Sequence, residues 1–186
     1  DLLLYMPSVF MVASWDWTLN KFRLALAEFL RDQGYSITFV CADGEYVEKF
    51  EERGFRWIEW KSRRKRLNPF AEIKALLSLS DIYAEEQPDI IHHDTIKPNL
   101  YGPLALKLNQ IRGRMDSLPP VINTFMGLGY VFSDGVLPLV LRTVIKPFLR
   151  FGVNQPNVHL VFSNRSDRDR LRSHRIVHHE RTSLLM

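Results

Sequence analysis

The stretch DIIHHDTIKPNLYG, residues 89–102, combines a strand end, a polar corner and a helix start in fourteen residues. Ile90 and Ile91 form the short apolar core that is typical of a buried strand, and polar residues follow where we expect the chain to turn. Pro98 suits the first turn of the next helix, because the N–H that proline lacks has no partner there. Ligands of open α/β sheets bind just beyond such strand ends, so this corner is the first candidate site.

Strand-like and helix-like segments alternate through the rest of the chain. Apolar residues recur at helical spacing over 19–30, and Asn68 and Pro69 are suited to cap and begin another helix. Residues 13–20 are expected to form the first loop, between a strand and a helix. Further strands are predicted at 36–40, 55–60, 121–125 and 158–162, and further helices near 43–50, after Pro98 and over 137–151. The alternation predicts an α/β fold, a Rossmann-like parallel sheet with helices on both faces, as one domain over residues 1–186.

Composition narrows the class of protein. With 46% hydrophobic and 25% charged residues, the 186-residue chain is neither disordered nor fibrous. Its longest nearly apolar run, residues 2–13, is shorter than the roughly 20 residues that cross a bilayer. A single cysteine, Cys41, cannot form an internal disulfide, which fits a reducing compartment. A net charge of +4 favours anionic partners in general.

The adjacent histidines His92 and His93 stand at the predicted strand end. Such a pair is compatible with a general base, a contact to a sugar hydroxyl or a structural role for at least one ring. Neighbouring strand residues point to opposite faces, so the two are not expected to bind one metal ion. Because the other histidines show no zinc-binding spacing either, we predict no metal site.

Four segments, taken together and in order, resemble the N-terminal half of a family 4 glycosyltransferase of the polysaccharide-building kind. They are the His-His and TIKPNLYG run at 92–102, ADGEYVEKFEERGFRW at 42–57, PPVINTFMGLGYVF at 119–132 and LVFSNRSDRDRL at 160–171. The resemblance implies one half of a two-domain GT-B enzyme that binds the acceptor. Since the chain opens at Asp1 and stops in a strand-like run, we expect an excised piece, with the donor-binding C-terminal domain absent after Met186.

The resemblance also implies an activity. A hexosyltransferase of this family moves a sugar, with retention, from a UDP-sugar to a lipid-linked or saccharide acceptor in capsule, O-antigen or exopolysaccharide synthesis. No cofactor is expected, because the nucleotide-sugar is a substrate, and an isolated half is expected to have little activity. The alternative is a non-catalytic, membrane-binding subunit that presents the acceptor to a separate catalytic chain. A reading frame that continues past Met186 into a UDP-binding second half would favour the enzyme.

The polar corner supplies the candidate catalytic residues. Many family members resemble HxHxxxK here, and this chain has Asp94 in place of the second histidine. We expect Asp94 and His93 near the acceptor and Lys97 beside a phosphate, with Thr95 and Asn99 as further substrate-binding residues. The alternative for Asp94 is to cap the following helix.

Three other segments are predicted to contact substrate. Gly127 and Gly129 follow a strand, where glycine permits positive φ, and we expect them to line the interdomain cleft, although an ordinary tight turn has the same pattern. In the first loop, Trp15 suits stacking on a sugar ring and Asp16 suits a substrate hydroxyl, although a lid packed on the core is an equal reading. Asn164, at the end of the last strand, is expected to face the donor.

Two basic clusters predict attachment to an anionic membrane surface. Arg142, Lys146 and Arg150 fall four apart on a helix whose remaining surface is largely apolar, which is typical of a helix in a headgroup layer. A helix packed on the sheet has a similar pattern. Residues 61–66 include five cations in six residues, and solvated loops share that composition. Four of those cations are Arg63, Arg64, Lys65 and Arg66.

The predicted location is cytoplasmic, peripheral on the inner face of the cytoplasmic membrane. Nucleic acid is disfavoured as a partner, because the basic residues are not interleaved with aromatic residues on a sheet face.

Overall fold

The computed structural model describes residues 5–62, 68–128, 132, 135–178 and 180–185. The described strands are β1 (Ser8–Val12), β2 (Ser36–Cys41), β3 (Arg56–Glu59), β4 (Ile90–Asp94), β5 (Val121–Phe125), β6 (Val158–Phe162) and β7 (Thr182–Leu184). The described helices are α1 (Asp16–Phe22), α2 (Leu24–Asp32), α3 (Val47–Glu52), α4 (Pro69–Glu86), α5 (Ile96–Ile111), α6 (Val136–Val153) and α7 (Arg165–Ser173). None of these helices is both long and apolar enough to cross a bilayer.

All strand pairs are parallel, and the strands lie in the order β3-β2-β1-β4-β5-β6-β7. The chain adds β2 and then β3 on one side of β1, and then crosses back so that β4 pairs with the other side of β1. In the β1–β4 register, Met11 lies opposite His92 and Val12 opposite His93. The carboxyl ends of β1 and β4 therefore flank the point at which the strand order reverses, where open α/β sheets bind ligands.

Successive residues of a strand point to opposite faces of the sheet, and each face has its own hydrophobic core. Val9 and Met11 point to the face covered by α1, α2 and α3, which we call the first face. Phe10 and Val12 point to the second face, which packs against α4, α5, α6 and α7. The Rossmann-like α/β fold expected from the sequence is confirmed.

Three boundaries differ from the sequence expectation. The first loop is shorter than residues 13–20, because α1 already begins at Asp16. The helical pattern over 19–30 is divided at Arg23, which has φ −123° and ψ −15° and ends α1 before α2 begins. Strand β4 also continues through Asp94, so His92 and His93 belong to the strand and not to the turn. The cap at Asn68 is confirmed, since its Oδ1 accepts a hydrogen bond from the Phe70 N–H at 3.0 Å.

Candidate functional site

A buried ion pair joins the break between α1 and α2 to the end of β4. Arg23 Nε donates to Asp94 Oδ2 at 2.9 Å, and Arg23 Nη2 donates to Asp94 Oδ1 at 2.5 Å. The side chain of Asp94 is 0% exposed and that of Arg23 is 9% exposed. Burial raises the pKa of Asp94 to about 6, against the opposing pull of the Arg23 guanidinium. Because both carboxylate oxygens bind Arg23, Asp94 connects elements of the fold, and an acceptor would have to share these oxygens.

Thr95 follows at a strained position. It is the N-cap of α5 with φ 72° and ψ 167°, and its side chain makes no capping hydrogen bond. Positive φ is costly for a β-branched residue, on the order of 1–3 kcal/mol, and such strain concentrates at functional sites. Thr95 Oγ1 is buried and has no hydrogen-bond partner in the described chain. The hydroxyl thus has unused hydrogen-bonding capacity at the start of α5.

Asn99 adds a second unpartnered acceptor in the first turns of α5. Its Nδ2 donates to the Thr124 carbonyl oxygen at 2.9 Å, whereas its buried Oδ1 has no partner in the described chain. Buried polar atoms without a partner are uncommon in folded proteins. Thr95 and Asn99, both predicted to bind substrate, therefore lie together at the end of β4 with hydrogen-bonding capacity that the described residues leave unused.

Lys97 is paired across two helices. Its Nζ lies 2.9 Å from Oε2 and 3.1 Å from Oε1 of Glu72 on α4. Tyr101 donates its hydroxyl to the same carboxylate at 2.5 Å, and burial together with Glu72 raises the pKa of Tyr101. A phosphate beside Lys97 would share this cation with Glu72, a residue that the sequence analysis did not single out.

The two histidines point to opposite faces, as expected. His92 Nε2 lies 2.7 Å from Thr124 Oγ1, whereas His93 lies 2.6 Å from the Tyr83 hydroxyl through Nε2 and 2.8 Å from Asn123 Oδ1 through Nδ1. An amide oxygen only accepts, so Nδ1 of His93 carries the proton and Nε2 accepts from Tyr83. Burial lowers the pKa of His92 to about 3 and that of His93 to about 4, so both rings are neutral at physiological pH.

His93 is fully buried, and both of its ring nitrogens are engaged. A contact between His93 and an acceptor would break one of these bonds, so its placement favours the structural role that the sequence left open. Within the described ranges, no three His, Cys, Asp or Glu side chains come together as a metal site.

The start of α1 carries an aromatic cluster and a buried carboxylate. The rings of Trp15 and Trp17 stack with centroids 4.8 Å apart, and Trp17 meets Phe22 edge-on at 5.6 Å. Asp16 is buried, and its oxygens accept from the backbone N–H groups of Trp17 at 2.8 Å and Tyr46 at 2.7 Å. Asp16 thus ties α1 to the loop after β2, and a substrate hydroxyl would compete with these two donors.

The remaining residues that were predicted to bind substrate or membrane lie apart from the corner at the end of β4 or outside the described residues. Gly127 has φ 125°, a conformation that favours glycine, in the segment after β5. Asn164 caps α7, because its Oδ1 accepts from the Asp167 N–H at 2.8 Å. Gly129 lies outside the described residues, as do Arg63, Arg64, Lys65 and Arg66.

Sequence reasoning missed Arg23, although a signal for it exists. Position 23 falls on the same helical stripe as Leu19, Leu26 and Leu30, so a cation stands on a face that otherwise turns inward. A charged residue at such a position requires a partner, which Asp94 provides.

The chain matches the sequence profile of the family described as "Glycosyl transferase 4-like" over residues 8–164. It is 23% identical over 145 residues to the N,N'-diacetylbacillosaminyl-diphospho-undecaprenol alpha-1,3-N-acetylgalactosaminyltransferase of Campylobacter jejuni, an alignment that covers 75% of this chain and 38% of the relative.

Solved structures of similar fold include a glycosyltransferase from Rickettsia africae, with TM-score 0.66, 15% identity and coverage of 96% of this chain and 42% of that one. A UDP-N-acetylglucosamine 2-epimerase from Rickettsia bellii follows with TM-score 0.61, 14% identity and coverage of 97% and 44%. The chain thus spans less than half the length of these proteins. The fold is that of one half of a GT-B enzyme, as the sequence resemblance implied.

Proposed function

Because the chain belongs to the glycosyl transferase 4-like family, we propose that it is the acceptor-binding half of a glycosyltransferase acting on a lipid-diphosphate-linked acceptor. The donor is a nucleotide-sugar, a UDP-sugar in our proposal, bound mainly by a further domain, and a hexosyl group is transferred with retention. The name of the Campylobacter relative, which specifies a sugar on diphospho-undecaprenol, supports this class of acceptor. The product belongs to cell-surface polysaccharide synthesis.

The observation that carries the proposal is the start of α5. Thr95 is strained there and its buried hydroxyl has no partner in the described chain. The positive end of the helix dipole and the first N–H groups of α5 point to the same edge of the sheet. A diphosphate would complete hydrogen bonds that the protein leaves open, and Lys97 would supply a cation shared with Glu72.

Catalysis in this proposal rests on position and charge. The Arg23–Asp94 pair fixes the end of β4, and with it the geometry of Thr95, so that the acceptor hydroxyl is held in one orientation. Donors at the start of α5 stabilise anionic oxygen atoms near the reacting centre. Gly127 and the Trp15 ring are proposed to border the same cleft.

Two other functions share features with this chain. The fold also occurs in an epimerase, which would change the sugar nucleotide itself and need no lipid acceptor. A non-catalytic subunit would bind the lipid-linked acceptor but transfer nothing. A requirement for the lipid acceptor distinguishes the proposed transferase from an epimerase. Transfer of a sugar distinguishes it from a non-catalytic subunit.

The test is sugar transfer by the complete gene product, with labelled UDP-sugars and a sugar linked to a lipid diphosphate. We expect a lipid-linked product, and about a tenfold loss of transfer on Lys97→Met, equivalent to about 1.4 kcal/mol. The matched control is Lys107→Met, on the same helix but bonded to Gln110 and away from its start, which should retain full activity.

Sugar-nucleotide turnover without a lipid acceptor, or acceptor binding without transfer under every donor, would overturn the proposal. Equal activity of the Lys97 and Lys107 variants would remove Lys97 from the site.

A further inference from the structure

Helix α6 exposes an apolar face that the core does not use. Leu149 and Val153 of this helix are buried against the second face of the sheet. On the opposite side, Val144 is 60% exposed, and Val140 and Phe148 are each 53% exposed. The exposed apolar side chains are Val136, Leu139, Val140, Val144, Phe148 and Phe151, which we call the α6 apolar face. Helices on the surface of a protein in water normally place polar residues there.

A row of cations borders this face. Arg142, Lys146 and Arg150 lie four residues apart, so Arg142 is half-buried beside Leu149 and Val153, and the row reaches the exposed Arg150 at the edge of the α6 apolar face. None of the three forms an ion pair with a described residue, and the sequence from 135 to 166 contains no acidic residue. The side chains therefore present uncompensated positive charge along one edge of exposed hydrocarbon.

The positive charge extends to α7. Burial lowers the pKa of His174, and Arg142 and Lys146, with Arg170 of α7, lower it further. Cations that act on one imidazole from two helices form a common region of positive potential. An acidic surface, in contact with hydrocarbon, would complement this arrangement.

We propose that the α6 apolar face lies in the interfacial layer of an anionic lipid bilayer, with Arg142, Lys146 and Arg150 at the level of the headgroups. Apolar insertion beside basic side chains is the arrangement by which a helix lies in the plane of a membrane. A second copy of the chain would bring the same unpaired cations together, which disfavours self-association through this face.

The placement also determines where an acceptor arrives. Helices α5 and α6 pack together, and both return the chain from the carboxyl edge of a parallel sheet to the opposite edge. Their first turns therefore lie at the same edge as Thr95. Membrane contact along α6 would bring headgroups close to the start of α5. In naming a lipid-linked acceptor this step rests on the proposed function, whereas membrane binding itself does not.

The electrostatic part is tested by sedimenting the complete gene product with phosphatidylcholine vesicles that contain or lack phosphatidylglycerol. Lys146→Ser combined with Arg150→Ser should weaken binding to anionic vesicles about thirtyfold, since each cation near an anionic leaflet contributes on the order of 1 kcal/mol. The charge-matched control is Lys21→Ser with Lys49→Ser, two exposed cations of helices on the first face, and should bind normally. Equal binding of both double variants would overturn the proposal.

The apolar part is tested with a polarity-sensitive dye on Val144→Cys, and on Phe29→Cys as the control. Phe29 is 59% exposed on α2, on the first face, and so is matched in exposure to Val144. Native Cys41 should remain unlabelled, because it is buried and its pKa is raised to about 12. Anionic vesicles should shift the emission of the Val144 label to shorter wavelength and leave the Phe29 label unchanged.

No vesicle-induced shift at Val144, or an equal shift at both sites, would overturn the proposal, as would a shift that needs only a higher protein concentration. Sugar transfer without vesicle binding would remove the membrane face but leave the proposed function. Vesicle binding without sugar transfer would leave the membrane face but remove the proposed function.

Discussion

Replacing Arg23 by methionine should destabilise the protein strongly, because it leaves the Asp94 carboxylate buried and unpaired. Both oxygens of Asp94 bind Arg23, and the side chain is 0% exposed, so water cannot replace the guanidinium without a rearrangement. Removing one member of a buried ion pair costs about 3–5 kcal/mol. For a chain of this length, that corresponds to a fall in melting temperature of roughly 6–20 °C.

The double variant Arg23→Met with Asp94→Leu separates the cost of the unpaired charge from the cost of lost packing. Replacing both members by apolar groups of similar size is often nearly neutral, so most of the lost stability should return. Urea unfolding followed by circular dichroism measures both variants. A loss below about 1 kcal/mol for Arg23→Met, or no recovery in the double variant, would refute the idea that the pair holds this corner.

The pH dependence of the single variant has a defined sign. Arg23 lowers the pKa of Asp94, which burial raises to about 6, so without Arg23 the pKa of Asp94 rises further. The folded variant then binds a proton that the unfolded chain releases near pH 4. The contribution of Asp94 to stability should therefore fall as pH rises from about 4 through neutrality, so the deficit relative to the unmodified protein should be smallest in acid.

Three further predictions concern the neighbouring core. A Cβ at Gly102 would overlap the buried His93 ring, so Gly102→Ala should lower the free energy of unfolding in urea by about 1–3 kcal/mol or more. Gly152→Ala should cost less, because the nearest atom to its added Cβ would be 3.2 Å away. Equal costs for the two variants would contradict this packing. The lowered pKa values of His92 and His93 mean that the unfolded chain binds more protons below about pH 6.5, so the two rings should lower stability between about pH 6.5 and 4, by roughly 3 kcal/mol from His93 alone and against the opposite contribution of Asp94; an unfolding free energy that rises on acidification through this range would contradict it. Thr95→Gly should relieve strain and leave stability unchanged or higher by about 1 kcal/mol, while transfer falls about tenfold; a destabilised variant with full activity would show that the hydroxyl is structural.

The sequence was sufficient to predict the parallel sheet, because alternation of strands and helices is a local, periodic signal. Isoleucines before a polar corner indicated β4, and Asn68 with Pro69 indicated the start of α4. The boundaries failed where a tertiary contact decides the backbone. Arg23 interrupts the first helical pattern at the residue whose side chain reaches Asp94.

The roles of polar residues were harder to predict than their location. Asp94 and its partner lie 71 positions apart in sequence, and Lys97 and Glu72 lie 25 apart, so no local pattern connects them. Asp16 and Asn164 were predicted from strand ends, where groups that bind ligands and groups that bind backbone N–H look alike in sequence. Only the three-dimensional partners distinguish the two.

The most direct test of the central claim is amide hydrogen exchange in the complete gene product, with and without a short-chain lipid diphosphate that carries a sugar. If the start of α5 binds the diphosphate, exchange should slow at the amides of Thr95, Ile96 and Lys97, and the corresponding lipid without its diphosphate should have no such effect. Protection that appears elsewhere in the chain while these amides stay unchanged would contradict the account.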